Sequence, residues 1–464
     1  MSAAASTTPG VPDPSAGDLD GLARQAEQLL GLAAAGEELE VVLGRSTSTT
    51  VRVYDGEVES LTSAGSRGAG VRIVRDGRQG FAHCGSLEPE VLAETVAEAR
   101  DNLAFGEPDE WNGLAVPDGV EPVVQASWSE AVLACPVDEK VRLALDLERR
   151  VRSIDPRVTS ARTTIFGDGW GETVIASTAG ILAADRGGSC SASTSPMARD
   201  GDETQMGWAY DAQLDPALLD LEQVAADAVA RAVRLLGATK PASLRGAIVL
   251  EPRLALSLLG IVAGMLSADS VIKGRSPFAD RVGEQVASPL ITLVDDPTRS
   301  ESLGAETYDG EGLACRPNDL LVDGVLQGFL HNSYTARRTG GRSTGSAVRG
   351  VRSLPGVGPQ LLVMAPGTRS FDELVASVDH GVFVTSFTGL HSGVNPVSGD
   401  FSVGADGLLI RNGTLGPPVR EITVASTLQR LLLDVREVGG DFEWQPGGSG
   451  GCSLVIDDVA VSGT

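Results

Sequence analysis

From Ser386 to Gly407 the chain reads S-F-T-G-L-H-S-G-V-N-P-V-S-G-D-F-S-V-G-A-D-G. That stretch is too rich in glycine for a helix and too patterned for a linker. Glycines alternate with Ser, Thr, Asn and Asp, and apolar residues recur at Phe401 and Val403, the pattern of a strand bounded by tight turns. A loop of this kind brings backbone close to another surface. It runs on into G-L-L-I-R-N-G (407–413), a strand closed by an Asn-Gly turn, and then into V-R-E-I-T-V-A-S-T-L-Q-R-L-L-L-D-V, a strand that leads to an amphipathic helix.

Bulk properties narrow the function classes. At 464 residues, and about 100 to 200 per domain, two or three packed units are expected. The net charge of −25 argues against a nucleic-acid binder, because phosphate affinity rests on cationic contacts and counterion release. The cluster Arg337, Arg338, Arg342, Arg349 and Arg352 is the one candidate basic patch; its plainer reading is a solvated loop paired with acidic surface. Five cysteines without a C-x-x-C pair fit a reducing compartment and no disulfide framework. The first 17 residues lack a basic n-region and an apolar h-region, so a disordered tail is expected rather than a signal peptide. No run of about 18 apolar residues occurs. A cytoplasmic protein that neither spans a membrane nor binds nucleic acid is expected.

Periodicity predicts an α+β fold. Helices are expected over 18–35, 88–105, 138–154 with Asp138 as cap, and 216–236. Strands are expected at 39–44, 50–54, 70–75, 80–83, 158–166, 172–177, 181–194 and 204–211. Asp55-Gly56 and Asp76-Gly77 read as hairpin turns, and Asp168-Gly169 and Ala179-Gly180 as further punctuation. A Pro- and Gly-rich segment over 106–136 reads as a long ordered connection. Strands in runs favour an N-terminal α/β-layer domain with a mixed or antiparallel sheet over a doubly wound one. That domain is expected over 18–238, in two parts, 18–105 and 138–236, of a possible duplication. The composition shifts at K-P-A-S-L-R-G (240–246), and a β-rich C-terminal domain is expected over 239–464. Its one notable helix, L-A-L-S-L-L-G-I-V-A-G-M-L (254–266), is apolar nearly all round and should be buried.

Four fragments in order, G-F-L-H-N-S-Y-T-A-R-R-T-G-G-R-S-T-G-S-A (328–347), A-P-G-T-R-S-F-D-E-L (365–374), H-G-V-F-V-T (380–385) and N-P-V-S-G-D-F-S-V-G-A-D-G (395–407), resemble the TldD/PmbA family. The family's TldD branch carries HExxxH on the buried helix, two zinc ligands and a glutamate base. Here the matching positions, Leu259 to Gly264, read L-G-I-V-A-G, and Leu259, Gly260 and Gly264 offer zinc no donor. The resemblance is therefore to the PmbA/TldE-like branch. It implies a chain without catalytic residues or a cofactor of its own, paired with a TldD-like, HExxxH-bearing subunit that holds the zinc. The implied substrate is an unfolded or modified peptide, and the implied assembly a hetero- or homo-oligomer.

Loop position nominates Arg337, Arg338, Arg342, His391, Asn395 and Asp400 for substrate binding. Asp400 is equally suited to cap a turn, and the arginines to face water. The histidines His83, His331, His380 and His391 are isolated, with no ligand spacing, and Cys452 reads as a small packed thiol. G-R-S-T-G (341–345) matches G-x-S-x-G, with Asp379 and His391 downstream in hydrolase order. A nucleophile elbow, however, needs a strand before the serine and a helix after it, and these flanks are polar and glycine-broken. Two alternatives to the peptidase-subunit reading stay open: a stand-alone regulatory protein acting on a folded partner such as a gyrase, and a homomeric hydrolase with an unrecognised site.

Overall fold

The computed structural model describes residues 18–464; the expected disordered tail lies outside them. Helix α1 (Leu19–Leu30) opens the chain, its Asp18 side chain accepting the Gly21 N–H at 2.9 Å as N-cap. Strands β1 (Glu38–Tyr54), β2 (Glu57–Arg75) and β3 (Arg78–Cys84) follow as a meander, and α2 (Pro89–Asp101) packs on it. The two hairpin turns are as expected: Asp55 and Gly56 take φ 55° and 80°, and Asp76 and Gly77 51° and 74°, the left-handed pair that matches strand twist.

After the connection and a short helix α3 (Glu130–Ala134) comes α4 (Val137–Ile154), and then strands β4 (Val158–Ser177), β5 (Leu182–Asp200), β6 (Glu203–Met206) and β7 (Ala209–Gln213), with helix α5 (Leu221–Val233). Both stretches build one sheet, ordered β3-β2-β1-β4-β5-β6 with β7 on β5 and antiparallel throughout. The helices cover one face. Leu39, Val41 and Leu43 meet α1 and α2, while Val51 and Val53 meet α4.

Several local expectations are corrected. The strands expected at 39–44 and 50–54 are one strand of 17 residues, because the polar run Arg45–Thr49 keeps pairing with β2 on one side and β4 on the other. Asp168-Gly169 is no turn; it lies mid-strand in β4, opposite Thr49 and Ser48. Asp138 sits inside the first turn of α4, whose N-cap is Pro136. The helix expected over 216–236 breaks at Leu219, and α5 starts from its own cap, Asp220, which accepts the Gln223 N–H.

The C-terminal half begins with strand β8 (Leu244–Leu250). It pairs in parallel with His380–Thr388 and antiparallel with Leu454–Ser462. Through Asp400–Arg411 and Thr414–Thr427, which returns to pair with Leu454–Ser462, these strands close into a barrel. Helix α6 (Pro252–Met265) packs Leu254, Leu258, Leu259 and Val262 into the same core as Val382, Val384, Phe401 and Val403. It is not covered all round: Gly260 and Gly264 have no heavy atom within 4 Å of where a side chain would begin.

The halves are joined by a buried charge cluster. Glu40 on β1 accepts Arg72 Nε at 3.1 Å and Nη2 at 3.0 Å from the neighbouring strand, and Arg349 Nη1 from the C-terminal half. All three side chains are within 5% of full burial. Although burial opposes ionisation, the two guanidiniums hold the Glu40 carboxyl below its ordinary 4.5. Glu40→Gln leaves two buried cations facing a neutral amide, so urea unfolding at neutral pH should show a loss of about 3 to 5 kcal/mol. Because the folded pKa is depressed, this contribution is present above pH 4.5 and fades as pH falls through the folded value. The gap between wild type and variant should close in acid.

Candidate functional site

The face of the sheet away from the helices carries β1 residues Ser46, Ser48 and Thr50. Opposite them in register on β4 lie Gly171, Gly169 and Gly167, and opposite those on β5 lie Gly187, Ser189 and Ser191. These three rows form a floor almost without side-chain bulk, since period-2 glycines on one strand all open toward one face. Above it, segments 303–310 and 347–360 of the C-terminal half form a roof. The cleft between floor and roof is open to solvent and has a volume of about 1010 Å³. The roof sits close: a Cβ on Gly70 would lie 2.3 Å from the Val351 carbonyl, so only glycine admits that approach. On the floor the case differs. A Cβ on Gly167 or Gly171 would meet its nearest neighbour at 3.6 or 3.7 Å, ordinary contact, so packing does not require glycine there.

On the other face of the sheet, between the floor positions in register, lies an aromatic and cationic cluster. Trp128 and Trp170 meet edge to face at 6.0 Å, and the Arg186 guanidinium lies 4.6 Å from the Trp128 ring centre. The wall of the cleft is acidic. Glu306 opens into the cleft, yet surrounding protein and the charge of Asp185 raise its carboxyl above the usual range. Asp309 accepts the N–H groups of Glu311, Leu313 and Ala347, and burial pushes it up to about 7. Behind Gln360, Asp295 is fully buried; its Oδ1 accepts the Gln360 and Leu361 N–H groups at 2.8 Å each, and its Oδ2 has no partner among the described residues.

The residues nominated from sequence lie elsewhere. Arg337 and Arg338 fall on helix α8 (Ser333–Thr339), which follows α7 (Ala268–Ile272). The Arg337 guanidinium donates to the carbonyls of Trp111, Gly113 and Leu114, fastening the long connection. Arg338 donates to the Tyr334 hydroxyl at 3.0 Å, and Arg342 is exposed. Arg349, grouped with them as a solvated patch, is instead buried on Glu40. His391, Asn395 and Asp400 share a separate loop beside the barrel. There Asn395 Oδ1 accepts the Val397 and Ser398 N–H groups, and Asp400 accepts the Ser398 hydroxyl. Ser343 is preceded by α8, and its hydroxyl donates to the His331 carbonyl, which is not elbow geometry. The cleft floor was missed because G-D-G-W-G reads as turns; its signal was the period-2 spacing of Gly167, Gly169 and Gly171.

Three family models match in sequence order: PmbA/TldA metallopeptidase domain 1 at 39–103, the central domain at 132–236, and the C-terminal domain at 244–463. The chain belongs to the PmbA/TldD family. It is 27% identical to the metalloprotease PmbA of Escherichia coli O157:H7, over 91% of this chain and 92% of that one. It is 28% identical to a metalloprotease TldD homologue of Haemophilus influenzae, over 88% and 89%. Among solved structures it resembles a proposed modulator of a DNA gyrase from Thermotoga maritima, with TM-score 0.87, 27% identity and coverage of 95% and 100%. The fold of TldE from Thermococcus kodakarensis is similar too, with TM-score 0.85, 24% identity and coverage of 96% and 100%.

Relatives named metalloproteases raise the question of a metal site on this PmbA/TldD-family chain. Leu259 is fully buried in the core, and Gly260 and Gly264 carry no side-chain donor. Among the described residues no three His, Cys, Asp or Glu side chains converge as a ligand set. Cys452 is buried, and burial pushes its thiol up to about 12, so it stays protonated and a poor ligand. The residues present do not fit a zinc ion.

Burial also pushes Asp295 up to about 6. The folded state then holds a proton that the unfolded chain releases, and stability falls as pH rises from about 4 to about 6. Asp295→Asn removes that term and keeps an oxygen for the Gln360 and Leu361 N–H groups. In urea melts from pH 4 to 8 the variant should gain on wild type by about 3 kcal/mol up to pH 6 and by no more beyond it.

Proposed function

We propose that this chain is the non-zinc, TldE-like subunit of a heteromeric metallopeptidase, and that it holds an unfolded or modified peptide in the cleft while an HExxxH-bearing relative supplies the zinc. One observation carries the reading: helix α6 offers no donor at Leu259, Gly260 and Gly264, the positions that the family resemblance matches to HExxxH, in a chain with a large, smooth-floored cleft. A floor of glycine and serine admits a chain of any sequence in extended form, since no side chain blocks it. The hydroxyls of Ser46, Ser48, Thr50, Ser189 and Ser191 supply sequence-tolerant contacts, since the backbone of β4 is already paired on both sides. The Glu306 wall would accept basic side chains. Bond cleavage, with its activated water and glutamate base, belongs to the partner.

Reconstitution tests this. The purified chain mixed with an HExxxH relative from the same genome should co-elute with it and show chelator-sensitive hydrolysis of an unfolded peptide, with neither chain active alone. Absence of association, or zinc-dependent hydrolysis by this chain alone, would reject the proposal. A pull-down that returns a topoisomerase and no peptidase relative would favour the regulatory alternative.

The cleft itself is tested separately. Gly167→Val and Gly171→Val place β-branched side chains where the nearest contacts are ordinary, so the thermal midpoint should hold or rise. With assembly intact, kcat/KM of the reconstituted peptidase should drop roughly tenfold or more. Unchanged kcat/KM would place the substrate elsewhere.

A further inference from the structure

The floor of the cleft is not neutral along its whole length. On β5 the residue two positions before Gly187 is Asp185, which shares the floor face and lies opposite Thr173 of β4. Its Oδ2 accepts the Thr307 N–H at 3.4 Å, so here the sheet of the N-terminal half touches the roof. Glu306, the residue before Thr307, opens into the same end of the cleft. Two carboxylates, one from each half, meet there.

Neither has a cation. Asp185 accepts the N–H groups of Arg186 and Thr307, and Glu306 accepts the Gln360 side-chain amide at 3.3 Å. Among the described residues neither joins an ion pair. Besides that amide, the groups that bear on the Glu306 carboxyl are two more acids, Asp185 and the fully buried Asp295. The arginines of this region are spent elsewhere: Arg349 on Glu40, and Arg186 over the Trp128 ring on the far face. Other acids here are compensated, Glu40 by two guanidiniums and Asp309 by three backbone N–H groups. Like charges brought together in a half-enclosed place oppose each other until an opposite charge joins them.

We propose that Asp185 and Glu306 set the substrate class of the cleft: they take a cationic group of the extended peptide, an ammonium or a guanidinium, at one end of the floor, and they reject an acidic residue there. The inference rests on the peptide-holding part of the reading above. Six residue steps separate Asp185 from Ser191 along β5, roughly 20 Å of extended strand. A single cation at one end of a short peptide therefore suffices, and the hydroxyl-lined remainder is indifferent to sequence. Selectivity comes from mismatch as much as from match, because an acidic residue would bring one more negative charge to a place without a counter-ion.

The net charge of −25 attracts any cation at long range, an effect that salt screens. The test therefore compares variants at one ionic strength, about 0.15 M. Binding to the full chain is read by anisotropy of ten-residue Ala/Ser/Gly peptides with a neutral dye, blocked at both ends, that carry one lysine, norleucine or glutamate near an end. A fourth peptide has no charged side chain and a free N-terminus. The lysine peptide should bind about tenfold tighter than the norleucine peptide, and the glutamate peptide more weakly than both. Glu306→Gln and Asp185→Asn each keep an oxygen for their present partners. In each, the lysine-to-norleucine ratio should fall to about threefold or less, and in the double variant to about one.

A gain shown by the free N-terminus and not by lysine, and lost in the double variant, supports the proposal with the peptide's own terminus as the cation. Equal affinities across the series, or a lysine preference that persists in the double variant, would overturn it and leave peptide holding in place. If no peptide binds, either to the chain alone or to the chain reconstituted with its HExxxH relative, the underlying reading fails and this inference with it.

Discussion

A carboxylate shared by two arginines holds this molecule in its working shape. Glu40 belongs to the central strand of the N-terminal sheet, Arg72 to the strand beside it, and Arg349 to the C-terminal half. Moving three charges out of water is costly, and the cost is recovered only while all three stay together. The cluster therefore acts as a conditional joint: the halves associate in the one arrangement that pairs both cations. Arg349 also sits within segment 347–360, which roofs the cleft, so the ion cluster and the cleft are two consequences of the same contact. The close fit of Val351 over Gly70 shows how little the roof can shift once the charges are paired.

The cleft floor is a place where local preference and global fold disagree. Glycine weakens a strand, yet Gly167, Gly169 and Gly171 occupy the middle of a 20-residue one. They are held because β4 is paired on both sides, to β1 and to β5, so the ladder compensates for missing side chains. Only Gly169 is tight, with a Cβ there 2.9 Å from the Thr47 carbonyl. At 167 and 171 the space is available and left empty. Departures from local consistency that packing does not demand are where function concentrates.

Much of the architecture was legible in the sequence, for definite reasons. Asp-Gly and Asn-Gly pairs mark hairpins because both residues take positive φ, and α6 announces its burial through an almost unbroken apolar run. The order of fragments after residue 328 carries the family. The site was less legible. R-S-T-S-T at 45–49 breaks the apolar alternation because its outward residues face the cleft and not the core, so one strand reads as two. Arg337 and Arg349 look like solvated loop charges, since nothing local reveals partners some 220 and 309 positions away. Residues in the loop around His391 are conspicuous by composition, yet much of their polarity is spent on turns: Asn395 closes an Asx turn and Asp400 holds Ser398.

The donor-free helix and the cleft are separate features, and that separation makes a subunit role physically coherent. A metal site requires several donors converging to within tenths of an ångström, so loss of its ligands removes it outright. A cleft defined by backbone, glycine and a buried ion cluster tolerates drift in most of its side chains, because its shape depends on strand register and one inter-domain joint. Gly260 and Gly264 have open space over them, so this chain leaves that helix face bare. Gly260 and Gly264 bring no side-chain donor to that face.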